Sequence, residues 1–452
     1  MTGRTKRLAE FAARRIPKYP GPAAWSAILP SQPPPRPLEA VTTADFAVIG
    51  AGFAGLSAAR RLAQLHPGAR IAVLEAGRVA EGSAGRNSGF MIDLPHDLSS
   101  DNYSGDGSAD HRQIRLNRTG IDFASAAADE YGMADEVFDR CGKINAAASE
   151  AGHRHNVEFA AHLETLGEPS ELLDADAMKA LTGTHYYRSG LHTPGAVMIQ
   201  PAAYIRALAE GLAPLVALHE NSPVTGLQRD GNSWIVKSKK GAVQAPKVIL
   251  AVNGHAESFG FFRRRLMHVF TYASMTRAMD AAQIAALGGK ARWAVTPADP
   301  MGVTVRRISG TGGDRVVVRS RFTYNPSMEV SDAFLRRMAK LHRQKFDARF
   351  PMLDALAMEY VWGGHLCLSW NNVPAFGEIE PGLVAACCQN GLGTARGTLS
   401  GMAAAELASG TDSETVSMLL EEAPPRHLPP EPLAWIGANA TMRWKEWCAG
   451  RE

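Results

Sequence analysis

Gly50, Gly52 and Gly55 follow directly on the apolar run Phe46-Ala-Val-Ile49, and Glu75 stands 20 residues beyond the last of them. Glycines at this spacing act through their backbone. Gly50 permits a tight turn, Gly52 lets the main chain approach a pyrophosphate, and Gly55 lets a helix pack closely on its strand. A helix opening at Phe53 and Ala54 presents free N–H groups and a partial positive charge to phosphate oxygens. Arg70 to Glu75 reads as a second strand. The Glu75 carboxylate, followed by Ala76, suits ribose hydroxyls and would repel a 2′-phosphate, which disfavours NADP. Strand, glycine turn, helix, strand and acid together point to a dinucleotide, NAD or FAD. The competing reading is a glycine-rich strand–helix joint with no ligand.

A second strand–turn–helix lies near the other end of the chain. Leu383 to Cys388 leads into Asn390, Gly391, Leu392, Gly393 and Thr394, and a helix then runs to about Gly410. It would aim another helix N-terminus into the same sheet crevice. Between the two, residues 81–91 carry Ser83, Arg86, Asn87 and Ser88 among small residues. Such a loop suits a long cofactor passing from its diphosphate to a ring system; a plain surface loop is the alternative. Candidates for direct chemistry are few. Tyr360 and Trp362 could touch substrate or simply pack their strand. His365 could reach the cofactor or the substrate. Arg319 and Arg321, placed on one face of a strand beside Phe322 and Tyr324, could hold a carboxylate or promote oxygen reduction, or form a solvated face. Arg396, one turn into the last helix, could hold an acidic substrate.

These groups need a substantial scaffold. The chain has 452 residues, 45% hydrophobic and 21% charged, enough for two or three domains of a globular enzyme. The net charge of +3 is too small to argue for nucleic acid or an anionic membrane as the main partner. No run of 18 apolar residues suggests a membrane span. Five cysteines, an odd number without a CxxC pair, fit a reducing, cytoplasmic location and offer neither a zinc site nor a disulfide framework. No metal site is expected. Six basic residues in the first 20 (Arg4, Lys6, Arg7, Arg14, Arg15, Lys18) read as a surface helix or, alternatively, a transit peptide. Ser31 to Pro37 reads as a stiff linker preceding the first folded domain. Helices are expected over 108–131, 154–166 and 331–349, and strands over 143–148, 302–306 and 315–322. The proline- and tryptophan-rich tail beyond Glu422 should lie across the surface.

Gly50–Glu75 with Gly-Ser-Ala-Gly-Arg-Asn-Ser-Gly89 resembles the FAD-dependent amine oxidoreductases of the D-amino-acid oxidase superfamily, in the gamma-glutamylputrescine oxidase and sarcosine oxidase branch. Further matches follow in order: Gly195 to Pro201 with its helix, Lys247 to Gly254, Tyr360 to Gly364, Pro374 to Gly377, and Gln389 to Thr394. The resemblance implies an α/β (α+β two-domain) fold. A Rossmann-like FAD-binding domain (44–105, 196–260, 356–412) would be interleaved with an antiparallel-sheet substrate domain (106–195, 261–355), between an N-terminal arm (1–43) and a C-terminal tail (413–452). It implies cofactor contacts at Val224, in a strand against the adenine, at Ala251, Asn253 and Gly254, and at Gly363 beside the flavin. Leu392 stands where relatives often have His, and Asn371-Asn372 where many have Asp. The loop from Ser83 to Gly89 holds neither Cys nor His, which favours non-covalent FAD, although Cys367 and His365 keep a covalent link open. The implied reaction oxidises the C–N bond of a small primary or secondary amine or amino acid by hydride transfer to flavin N5, with imine hydrolysis and O2 or another acceptor taking the electrons. A CH–OH substrate such as a 2-hydroxy acid, and a flavin-binding protein without turnover, are the alternatives. The oligomeric state is open.

Overall fold

A computed structural model describes residues 10–95 and 107–452; Arg4, Lys6 and Arg7 lie outside it. The elements used below are, in chain order, β1 (Glu10–Ala12), α1 (Ala24–Ala27), β2 (Phe46–Ile49), α2 (Phe53–Leu65), β3 (Ile71–Leu74), α3 (Gly107–Glu130), β4 (Lys143–Ala147), β5 (Ala217–His219), β6 (Lys247–Leu250), β7 (Met267–Thr276), β8 (Trp293–Pro297), β9 (Thr304–Ile308), β10 (Arg315–Tyr324), α4 (Asp332–Arg349), β11 (Met358–Leu368), β12 (Ala375–Glu380), β13 (Leu383–Cys387), α5 (Ala395–Ser409) and α6 (Leu433–Ala449).

Two sheets carry the architecture. The first has six strands in the order β5-β3-β2-β6-β13-β12, all pairs parallel except the last. Strands β2, β3 and β13 are buried at every position, as expected where helices cover a parallel sheet. Helices α2 and α5 lie side by side over it. At their crossing a Cβ on Gly401 would stand 1.9 Å from the Ala54 carbonyl oxygen, so only glycine allows that approach. The second sheet has eight strands and begins β11-β7-β10-β9-β8-β4. Its pairs are antiparallel except β8 with β4. This is the α/β organisation with an antiparallel second unit that the sequence suggests. Strand β11, expected with the cofactor unit because it begins after 356, is hydrogen-bonded along β7 in the second sheet.

Two expectations change. From Glu10 onward the N-terminal arm is not a surface helix. It forms β1, antiparallel to residues 226–228, and then runs extended through Pro17, Pro20 and Pro22. Prolines at this density disfavour helix both at themselves and at the residues before them. The Ser31–Pro37 linker does not precede all folded structure, because Trp25 on α1 is fully buried in the main core with Leu56, Tyr204 and Trp362. The tail lies across the surface as expected, and it does so partly as a helix, α6, which packs on β10.

Candidate functional site

A single long cavity runs along the crevice between the sheets. It starts at Glu75 and Ala76, passes the turn at Gly50 and Gly52 with Phe53 and Ala54, and follows Ser83, Arg86, Asn87 and Ser88. It ends among Gly391, Leu392, Gly393 and Thr394 on one side and Arg319, Thr304 and Thr271 of the second sheet on the other. Val224, Ala251, Asn253, Gly363 and His365 complete its walls. Most expected cofactor contacts therefore line one space. Gly55, Gly254 and Asn390 stand behind it. Gly55 packs α2 on β2, since a Cβ there would lie 1.7 Å from the Gly50 carbonyl oxygen. A Cβ on Gly254 would meet His365 at 2.8 Å, and Asn390 turns its amide oxygen to the Ser369 N–H at 2.8 Å. Val224 lies in the extended connection before strand 226–230, not in a strand.

Two helix N-termini bring main-chain donors to this cavity. Helix α2 has Gly52 at its N-cap and α5 has Thr394, and neither has a side-chain cap bond. By contrast, Ser149, Asp174 and Ser331 cap other helices with their side chains. Two uncapped N-termini on one cavity leave first-turn N–H groups and two positive dipole ends for a ligand. Gly50, at φ +102°, makes the turn that points the first of them. Thr394 spends its hydroxyl on the Phe90 carbonyl at 2.5 Å.

Glu75 is buried. Its Oε2 accepts the Ala51 N–H at 2.8 Å and its Oε1 accepts the Gly77 N–H at 3.2 Å. Burial raises its pKa, against the lowering effect of these backbone donors. Both oxygens keep acceptor capacity on the cavity side. The Tyr19 phenol beside it is pushed well above its ordinary value, by burial first and then by Glu75 and Glu81.

The loop 83–89 is shaped by its own side chains and by buried donors from outside. Arg86 does not offer its guanidinium to a ligand: it donates to the carbonyls of Glu81 (2.6 Å), Pro20 (3.0 Å) and Gly21 (2.9 Å). Asn87 likewise bonds to the Ala84 carbonyl and the Gly89 N–H. Two indoles hold the loop from below, Trp25 on the Asn87 carbonyl at 2.9 Å and Trp362 on the Arg86 carbonyl at 3.1 Å. Arg306, fully buried with its pKa down to about 10 through burial, donates to the Ser88 carbonyl at 3.3 Å. Trp362 thus stands behind the loop, outside the main cavity, and its role is to position it.

Arg319 lines the cavity, with its guanidinium carbon 4.4 Å from the Phe322 ring centre. Arg321 does not share its face. A bulge opposite Thr271/Tyr272 makes Arg321 an extra residue at φ +67°, and its Nε reaches Glu446 on α6 at 2.8 Å. Arg396 lies outside the cavity walls. Tyr360 is also outside, and Arg315 sits over its ring at 5.9 Å. His365 belongs to a cluster of imidazoles, half-buried like His255 and beside the buried His268: its ring centre is 5.8 Å from His255 and 5.4 Å from His268. Burial, then His268 and His255, hold its pKa well below the ordinary value, and burial takes His255 to about 4. These two rings are therefore neutral at pH 7. The His365 Nε2 and Thr271 Oγ1 are buried on the cavity wall without a protein partner.

Sequence reasoning missed Arg15, Lys18 and Tyr19, which also line the cavity, and Trp25 beneath it. The prolines at 17, 20 and 22 were the available signal, since they require extended chain. Nothing local in the sequence marks Thr271 or His255. Leu392 packs with Phe90, Ile92 and Met198 while lining the cavity, and Asn371 ties the tail through Arg426 N at 3.0 Å. Cys367 is buried off the cavity, with its thiol pKa raised by burial and Cys388. Among the described residues no group of His, Cys, Asp and Glu could hold a metal, and no helix is long and apolar enough to cross a membrane.

The cavity's shape, its uncapped helix ends and its unpaired Thr271 and His365 atoms fit a long dinucleotide with polar ring edges. Comparison with known proteins agrees. Residues 45–407 match the DAO family, FAD dependent oxidoreductase. The chain is 26% identical over 386 residues to a probable oxidoreductase OrdL of Haemophilus influenzae, covering 83% of this chain and 85% of that one. It is 25% identical over 390 residues to the gamma-glutamylputrescine oxidoreductase of Escherichia coli, covering 81% and 84%. Glycine oxidase from Geobacillus kaustophilus shares the fold, with a TM-score of 0.66 and 18% identity over 83% of this chain and 96% of that one.

Proposed function

Because the chain belongs to the DAO family of FAD-dependent oxidoreductases, we propose that it oxidises the C–N bond of a small primary or secondary amine or amino acid. One observation carries the reading: two uncapped helix N-termini and Arg319 face the same cavity from opposite sheets. The names of the gamma-glutamylputrescine oxidoreductase and glycine oxidase relatives support the substrate class.

Gly50, Gly52 and the first turn of α2 would hold the diphosphate, and Glu75 the ribose. Loop 83–89 and Gly391–Thr394 would hold the ring end, with FAD bound non-covalently. Bound there, FAD supplies the hydride acceptor. The chain's own groups bind and orient. The N-terminus of α5 favours negative charge near Gly393. Arg319 would anchor a substrate carboxylate by a charge-assisted bond and so fix which C–H is presented. The neutral imidazoles of His255 and His365 add no positive charge of their own to that wall. A partly apolar wall that includes Leu392, Phe90 and Ile92 favours the uncharged amine, whose lone pair must be free.

The test is an anaerobic screen of amines, amino acids and 2-hydroxy acids for flavin bleaching, followed by readmission of O2. Bleaching by an amine, faster as pH rises towards the amine's pKa, is the expected result. Bleaching by a hydroxy acid alone would replace the reading with CH–OH oxidation, and no bleaching by any class would leave a flavin-binding protein without turnover. Recovery of the yellow colour on admitting O2 would make the enzyme an oxidase.

A further inference from the structure

Helix α6 has its polarity turned inside out. The side facing the body is largely polar. Asn439 exchanges bonds with the Tyr324 backbone (3.1 Å each way), Arg443 donates to the Phe322 carbonyl at 2.7 Å, and Glu446 receives Arg321 at 2.8 Å. Met442 and Ala449 are the apolar contacts on that side. The side facing solvent is apolar. Leu433, Ile436, Ala440, Trp444 and Trp447 recur at three- and four-residue spacing, one stripe along 17 residues of helix. Leu433 is 63% exposed, Ile436 53%, Trp444 62% and Trp447 79%, with Trp435 on the flank at 51%. A contiguous stripe of this kind is an interaction surface, since isolated exposed apolar residues need no explanation but rows of them do.

Its chemistry selects the partner. Three indoles dominate, and tryptophan prefers the water–hydrocarbon boundary, with its ring in the apolar layer and its N–H near water. The flanks are cationic. Helix α4 packs on β10 as α6 does, and Lys345 reaches the Gly450 carbonyl at 3.5 Å. Arg443 is lowered from its ordinary pKa by burial first and then by Arg321, with Arg337 of α4 contributing to the same shift, which places the two helices within electrostatic reach. Arg336, Arg337 and Lys340 on α4 are exposed. Glu446 is engaged by Arg321 and Arg443, and Glu431 by the Tyr324 hydroxyl and the Trp435 backbone N–H.

We propose that α6 docks on an anionic lipid bilayer, lying in the plane of the interface with its tryptophan stripe in the headgroup–acyl boundary and the basic residues of α4 against headgroup phosphates. The FAD-loaded full chain should co-sediment with vesicles of about three parts phosphatidylcholine to one of phosphatidylglycerol and bind pure phosphatidylcholine at least about tenfold more weakly. Added salt should weaken the anionic binding. Trp444→Ser with Trp447→Ser should reduce vesicle binding by about tenfold or more, with bound flavin absorbance and thermal midpoint reporting that the fold is kept. Arg336→Glu with Lys340→Glu, exposed changes remote from the core, should weaken binding without needing the stripe to be altered. Failure of the FAD-loaded chain to sediment with anionic vesicles overturns the proposal. So does a tryptophan double variant that halves the mass of the free protein, which would make the stripe the contact between two copies of the chain.

Discussion

At Glu75 one carboxylate fastens the glycine turn, through the Ala51 N–H, and faces the adenosine end of the cavity. Glu75→Ala should therefore weaken FAD by about 1–3 kcal/mol, the scale of losing charge-assisted bonds. Flavin fluorescence titration of the apoprotein measures this, and unchanged affinity would remove Glu75 from the site. The two arginines on β10 should separate cleanly. If Arg319 holds a substrate carboxylate, Arg319→Ala should raise KM for an amino acid about tenfold or more while leaving a neutral amine little changed. Arg321→Ala should leave both KM values alone and lower the melting temperature. The buried histidines set a pH dependence. Burial keeps His255 at about 4 and His342 at about 3, and places His365 well below its ordinary value. Below about pH 6.5 the unfolded chain takes up protons that these rings refuse when folded. Their contribution to stability is thus present above that pH and lost as pH falls towards 4 and then 3, at up to about 1.4 kcal/mol per pH unit for each. A melting temperature that does not fall between pH 7 and 5 would contradict this. At this scale the glycines were legible because backbone geometry dictates their type, and Glu75 because an acid at the end of the second strand completes their pattern. The imidazole group was not, because it assembles from residues 255, 268 and 365, which only the fold brings together.

Two helices meet end-on at the cavity because they can lie almost in backbone contact. Gly401 against the Ala54 carbonyl decides that spacing. Gly401→Ala should cost about 1–3 kcal/mol by overpacking. It should also lower FAD affinity, because separating α2 from α5 moves both N-termini. A variant that melts lower yet retains flavin undiminished would uncouple the two effects and refute the link. The elements themselves were largely readable. The helices and strands expected over 108–131, 154–166, 331–349 and 315–322 correspond to α3, Glu150–Thr165, α4 and β10. What strand alternation could not show was the bulge at Arg321. A non-glycine residue at φ +67° has no local signature, and the ion pair with Glu446 on α6 helps hold it.

Over the whole molecule, the parallel sheet and its crevice followed from apolar runs joined to glycine turns. The arm was misread because the charge of its first 20 residues suggested a helix, whereas its prolines and long-range partners decide its path. That path crosses the crevice. Ala13 N–H binds the Thr225 carbonyl at 2.9 Å, Arg15 reaches the Pro326 carbonyl at 2.7 Å, and Lys18 pairs with Glu329 at 2.8 Å. The Pro20 carbonyl then accepts both the Gly363 N–H and Arg86, so the arm ties the first sheet's loop to the second sheet. Such a strap changes the residence time of whatever lies beneath it. With Tyr19 closing one wall, flavin should leave only as fast as roughly a dozen residues peel away, a local opening and not a global one. Trypsin, cutting after Arg14, Arg15 or Lys18, samples the same opening. Saturating FAD should slow that cut, and a clipped enzyme should shed its flavin several-fold faster than an intact one at equal equilibrium stability. Equal release rates from clipped and intact protein would show that the strap does not set the clock.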